Sequence, residues 1–167
     1  MTNPAGDVGA GPAADVLARL LARGETLAVA ESLTGGLLAA TLVDVPGASA
    51  VFRGGLVVYA TDLKATLAGV PEELLAQRGP VDDEVAEALA VGARDRCGAD
   101  WGLATTGVAG PDPQDGHRPG FVWIACAGPL GVAAVSRQFP GDRAAVRRAT
   151  VTAALALVLS ELSAVTP

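Results

Sequence analysis

Apolar positions along the 167-residue chain recur at helical spacing in some stretches and in short unbroken runs in others, and each change of pattern marks an element. Val16, Leu17, Leu20 and Leu21 give an amphipathic helix over Ala14–Arg23, which Gly24 ends. Leu27–Ala30 is short and wholly apolar, as in a strand buried on both faces. It breaks at Ser32-Leu33-Thr34-Gly35-Gly36, and a helix-like segment runs from Leu37 to Val43, closed by Asp44 and Pro46-Gly47. A second strand is expected over Gly55–Ala60, after which Thr61-Asp62 caps a short helical turn carrying Lys64. Pro71 leads a helix to about Gln77. Asp82 or Asp83 caps a longer helix through Arg96, with Val85, Leu89 and Ala93 on one face. Trp101–Thr105 reads as a third strand, and a polar, proline-rich loop covers Asp112–Pro119. Phe121–Ala127 and Val132–Phe139 form a hairpin through Gly128-Pro129-Leu130-Gly131. A closing helix spans Asp142–Ser163, with Val146, Val151, Leu155, Val158, Leu159 and Leu162 as its apolar positions.

This order predicts an α/β fold, a three-layer α/β/α sandwich with a mixed, mostly parallel sheet, in one domain over residues 14–165. Residues 1–13 are rich in Gly, Pro and Ala and read as a flexible amino-terminal tail, without the basic start or apolar core of a signal peptide. No apolar run reaches the length of a membrane span, so a cytoplasmic protein with no membrane partner is expected. Half of the residues are hydrophobic but only 4% aromatic, which leaves Ala, Val and Leu to build the core. The net charge of −6 argues against a nucleic-acid partner, since phosphate backbones need a basic surface. Cys97 and Cys126 fit no metal or redox spacing, and with His117 the lone histidine no metal site is expected.

Hydroxyl groups gather at three strand ends: Ser32, Tyr59 and Thr105-Thr106. Open α/β sheets place ligands there when the strands run parallel. Ser32 stands where a strand turns into a helix, so that unpaired amides and a helix dipole can meet an anion or an oxyanion. The alternative is that Thr34 is an ordinary N-cap and Ser32, Gly35 and Gly36 are turn residues. Lys64 follows Tyr59 by five residues and can fold back over the same edge, giving a serine nucleophile, a lysine base and a tyrosine to orient the proton. Such a base works only when neutral, which requires a pKa drawn from about 10.4 toward about 7–8. A solvated Lys64 and a packed Tyr59 are the plainer readings. Arg143 and Arg147 stand four apart and can share a phosphate, or pair with surface acids. Glu31 either tunes the site or forms a salt bridge elsewhere. His117 sits in the polar loop with no orienting partner, which leaves no Ser-His-Asp triad.

Taken in order, Ala30-Glu31-Ser32-Leu33-Thr34-Gly35-Gly36, Tyr59 through Lys64, Thr106-Gly107-Val108-Ala109-Gly110-Pro111, Gly120-Phe121-Val122-Trp123 and Gly141-Asp142-Arg143 through Arg147 resemble the CinA carboxy-terminal family, the nicotinamide-nucleotide amidohydrolases. The resemblance covers nearly the whole chain beyond the tail. It implies hydrolysis of the carboxamide of nicotinamide mononucleotide to nicotinate mononucleotide and ammonia. It also implies that Ser32 is the nucleophile, that Lys64 and Tyr59 activate it, and that amides near Thr34, Gly35 and Gly36 cradle an oxyanion or phosphate. Thr106 with Gly107 would contact substrate, and Arg143 or Arg147 would hold the 5′-phosphate. No metal and no cofactor are needed, and self-association into a homo-oligomer is expected.

Three positions depart from the family pattern. Val81-Asp82 stands where Val-Ser is usual and still supplies an N-cap. Thr106 replaces a serine and keeps the oxygen. Arg118-Pro119-Gly120-Phe121 replaces the commoner Pro-Val-Gly-Thr, and a Phe at that strand start is expected to reshape the pocket. Two other readings stay open: a nucleotide-binding or protein-interaction module without turnover, and an amidohydrolase for another small amide.

Overall fold

The structure, a computed structural model, describes residues 11–165. Five strands form one sheet in the order β2-β1-β3-β4-β5, from β1 (Leu27–Glu31), β2 (Phe52–Val57), β3 (Trp101–Gly107), β4 (Phe121–Gly128) and β5 (Gly131–Gln138). β1 pairs in parallel with both β2 and β3, while β4 runs antiparallel to β3 and β5. Four strands therefore point one way and β4 alone opposes them.

The helices divide between the two faces, as the three-layer expectation requires. β1 alternates: Leu27 and Val29 face α1 (Pro12–Arg23), α2 (Leu37–Val43) and α6 (Arg143–Ala164), whereas Ala28 and Ala30 face α5 (Asp83–Cys97). β4 repeats the division, with Val122, Ile124 and Cys126 on the first side and Ala125 and Ala127 on the second. The small residues let α5 lie very close to the sheet. At Gly102 in β3 an added Cβ would stand 1.9 Å from the Ala90 carbonyl oxygen, so only glycine fits. α3 (Thr61–Thr66) and α4 (Glu72–Arg78) flank α5.

Several boundaries move for identifiable reasons. α1 begins at Pro12, and proline at a first helical turn loses no hydrogen bond, so residues 12 and 13 are helical, not tail. Residues 1–10 of the expected tail lie outside the described residues. β2 covers Phe52–Val57 instead of Gly55–Ala60, because its parallel register with β1 runs from Leu27↔Phe52 to Glu31↔Val57. Tyr59 therefore stands beyond the strand, in the connection to α3. β3 extends through Thr106 and Gly107, which pair with Trp123 and Val122 of β4. Asp82 and Asp142 are the N-caps of α5 and α6, each carboxylate accepting from first-turn amides.

Candidate active site

The carboxyl ends of β1, β2 and β3 open into one cleft of about 280 Å³. Ser32 and Leu33 come from the β1–α2 turn, and Tyr59, Thr61 and Lys64 from the β2–α3 segment. Thr106 through Gln114 form a third wall, Pro80 and Val81 a fourth, and Arg143 at the start of α6 stands at the mouth.

Ser32 is held at the end of β1, where its amide donates to the Thr105 carbonyl at 3.0 Å and prolongs the β1–β3 pairing by one residue. Lys64 reaches it from α3. The lysine is only 1% exposed, and its Nζ lies 3.0 Å from Ser32 Oγ, 2.8 Å from the Val58 carbonyl and 3.4 Å from the Tyr59 carbonyl. Burial pushes its pKa down from 10.5 to about 8. A neutral amine has two N–H groups and one lone pair. When the two carbonyls take the N–H groups, the lone pair is left for the Ser32 hydroxyl, which then donates to nitrogen. After protonation the three N–H groups meet three oxygens. The backbone carbonyls of residues 58 and 59 thus orient this base as a carboxylate orients the histidine of a triad.

Tyr59 and Arg143 form a second group. The Tyr59 ring is exposed, and its hydroxyl accepts from the Arg143 guanidinium at 2.7 Å. A second Arg143 nitrogen donates to the Gly110 carbonyl at 2.8 Å, so the arginine bridges two walls of the cleft. Tyr59 touches Lys64 through its main-chain carbonyl, while its phenol serves Arg143. Thr106 lines the cleft beside Gly107, but its hydroxyl donates to the Pro80 carbonyl at 2.6 Å, leaving only lone pairs for a ligand.

The side chains of Thr34 and Arg147, together with Gly35 and Gly36, lie behind the cleft instead of lining it. Thr34 is fully buried and shares a 2.8 Å hydroxyl–hydroxyl bond with Thr105. Gly35 and Gly36 do not line the cleft. Gly36 adopts φ 97° as the N-cap of α2, a conformation that suits glycine. The amino end of α2 is not free for an anion, because the fully buried Glu31 carboxylate accepts from the amides of Leu38 and Ala39 at 2.8 and 3.0 Å. Arg147 is taken as well: Nε and one terminal nitrogen donate to the Leu33 and Thr34 carbonyls at 3.0 and 2.8 Å. Of the two arginines, only Arg143 faces the cleft.

Phe121 does not line the cleft. It stacks on His117 with ring centroids 4.7 Å apart and so braces the loop whose Asp112, Pro113 and Gln114 do. Those three residues, with Pro80 and Val81, escaped the sequence reading; only their place after a strand end or before a helix cap hinted at them. Among the described residues no three His, Cys, Asp or Glu side chains gather as metal ligands, and no helix is long and apolar enough to cross a membrane.

Fold and site together define a three-layer α/β domain with a serine–lysine pair across the carboxyl ends of adjacent parallel strands. Residues 10–162 match the CinA C-terminal domain, and the chain belongs to that family. It is 56% identical over 143 residues to a CinA-like protein of Frankia casuarinae, a match covering 86% of this chain and 33% of the relative. It is 48% identical over 136 residues to a putative competence-damage inducible protein of Desulforamulus reducens, covering 81% and 33%. The chain thus spans about a third of the length of these relatives. A CinA superfamily protein from Klebsiella pneumoniae superposes with a TM-score of 0.89 at 32% identity, over 92% of this chain and 97% of that one. A competence/damage inducible protein from Agrobacterium tumefaciens does so with a TM-score of 0.87 at 33% identity, over 98% and 99%.

Proposed function

We propose that the domain hydrolyses the carboxamide of nicotinamide mononucleotide, giving nicotinate mononucleotide and ammonia. One observation carries this reading: a buried lysine with a pKa near 8 stands 3.0 Å from a serine hydroxyl at the floor of a cleft. At pH 7.5 about a quarter of such lysines are neutral, against about one in a thousand at pKa 10.5. Ser32 Oγ bonds to the amide carbon as its proton passes to Lys64 Nζ, and the carbonyl electron pair moves to oxygen. Collapse of this adduct breaks the carbon–nitrogen bond, and Lys64 returns the proton to the departing nitrogen, which leaves as ammonia. Water then attacks the carbonyl carbon of the Ser32 ester, giving a proton to Lys64; the carbon–Oγ bond breaks, Lys64 passes that proton to Ser32 Oγ, and the acid product leaves as its carboxylate. Arg143 at the cleft mouth suits the 5′-phosphate, a stronger partner for its guanidinium than the Tyr59 hydroxyl and Gly110 carbonyl oxygens it now meets.

The test is ammonia release from nicotinamide mononucleotide by the protein and by Ser32→Ala, with a metal chelator present. Serine-dependent, chelator-resistant release is the expected outcome. No release from folded protein refutes this substrate. Because Phe121 braces a cleft-lining loop where the family usually has a smaller residue, the same assay is to be run on other small amides.

A further inference from the structure

The amides of the Ser32 turn are spent unevenly. Gly35 N–H donates to the Ser32 carbonyl, Leu37 N–H to the Thr34 carbonyl, and the Leu38 and Ala39 amides to Glu31. Among the described residues the amides of Leu33, Thr34 and Gly36 donate to no protein acceptor, and of these three residues Leu33 and Thr34 are the buried ones. Buried N–H groups without a protein partner are rare and costly, and each calls for an acceptor supplied by a ligand or by water. Here they directly follow the nucleophile, where acyl-transfer sites stabilise a developing oxyanion. On the far side of the turn, Arg147 binds the carbonyls of the same two residues through two separate nitrogens. In a trans peptide, C=O and the next N–H point in opposite directions. Drawing the Leu33 carbonyl toward α6 therefore turns the Thr34 N–H away from Arg147. A cation on the carbonyl side also polarises that peptide and strengthens its N–H as a donor.

We infer that Arg147 is a positioning residue, whose guanidinium holds the 33–34 backbone so that the amides of Leu33 and Thr34 form the oxyanion hole for attack by Ser32. The inference rests on the serine-nucleophile reading above. It replaces the phosphate role suggested by the spacing of Arg147 from Arg143.

The test compares Arg147→Lys, which keeps the charge but not the two-pronged grip, with Arg147→Gln, each confirmed as folded by circular dichroism. Two readouts are taken: kcat and KM for ammonia release, and the rate at which a fluorophosphonate probe labels Ser32. The probe forms its own oxyanion in the same place, whatever the natural substrate. Both variants are expected to lose about 10–100-fold in kcat and in labelling rate, with KM within about threefold and the pH midpoint still near 8. A tenfold rise in KM with kcat and labelling unchanged makes Arg147 a phosphate ligand and overturns the inference. A lower melting temperature with unchanged kcat and labelling makes it a structural clasp and overturns the inference too. Labelling of wild-type Ser32 without ammonia release refutes the substrate alone, and the labelling rates of the variants still decide the role of Arg147. A wild-type Ser32 that resists the probe overturns both readings.

Discussion

Replacing Lys64 by methionine removes the charge while keeping the length of the buried stem, and its effect on stability is predicted to depend on pH. Folding lowers the lysine pKa from 10.5 to about 8, a gap worth about 3 kcal/mol. Between those two pH values the unfolded chain binds more protons than the folded one, so wild-type stability rises with pH across that window. Below pH 8 both states are protonated and the folded protein bears the whole penalty. Above pH 10.5 both are neutral and the penalty is gone. Methionine never bears it, but it leaves the Val58 and Tyr59 carbonyls without their donor at a cost of about 0.5–1.5 kcal/mol each, independent of pH. Lys64→Met is therefore expected to be more stable than wild type by about 1–2 kcal/mol at pH 7 and less stable by a similar amount at pH 10.5. Urea unfolding followed by the fluorescence of the two tryptophans, Trp101 buried in β3 and Trp123 half-buried in β4, gives the difference at each pH. All other titrating groups cancel in that difference. A difference that does not change between pH 7 and 10.5 refutes a buried, depressed lysine and with it the base. The same variant should lose at least about 100-fold in ammonia release.

Other substitutions separate binding from folding. Arg143→Met should raise KM for a phosphorylated substrate about tenfold or more while the melting temperature stays within a degree or two, because the side chain is exposed at the cleft mouth; an unchanged KM removes it from the substrate. Gly102→Ala should cost about 1–3 kcal/mol in urea unfolding, since the new methyl meets the Ala90 carbonyl of α5; full stability would mean that α5 can move off the sheet freely. Cys126, whose thiol burial pushes up to about 12, should resist thiol reagents at pH 8 in the folded protein, whereas the half-buried Cys97 should react first. Equal labelling of the two by mass spectrometry contradicts the packing of β4.

What the sequence made legible follows from how local each cause is. The unbroken apolar runs of β1 and β4 announce burial through side chains alone, and Asp82 and Asp142 cap helices within three residues of themselves. Ser32 and Lys64 were readable as partners because strand ends in α/β sheets converge. The limits of β2 were not, because they are set by β1, more than twenty residues earlier. The role of Arg147 was hidden for a similar reason: residue spacing shows that two arginines share a helix face, but not which of them meets the carbonyls at positions 33 and 34. Glu31 illustrates the same gap. Its charge left tuning of the site and a salt bridge elsewhere both open, and it is answered by two backbone amides seven and eight residues ahead.

The nucleophile and its base differ in how firmly the architecture holds them. Ser32 projects from β1, which has a neighbour on each side, whereas Lys64 hangs from a six-residue helix beyond β2, an outermost strand bonded to β1 alone. Segments at a sheet margin open at lower free energy than the interior, in excursions that leave the remainder folded. Detachment of residues 52–66 would carry off the amine, its two orienting carbonyls and the phenol together, while the serine stays in place. Heat should therefore disarm the domain before melting it, and a ligand that bridges Ser32 to the β2 margin would steady the very unit most prone to leave.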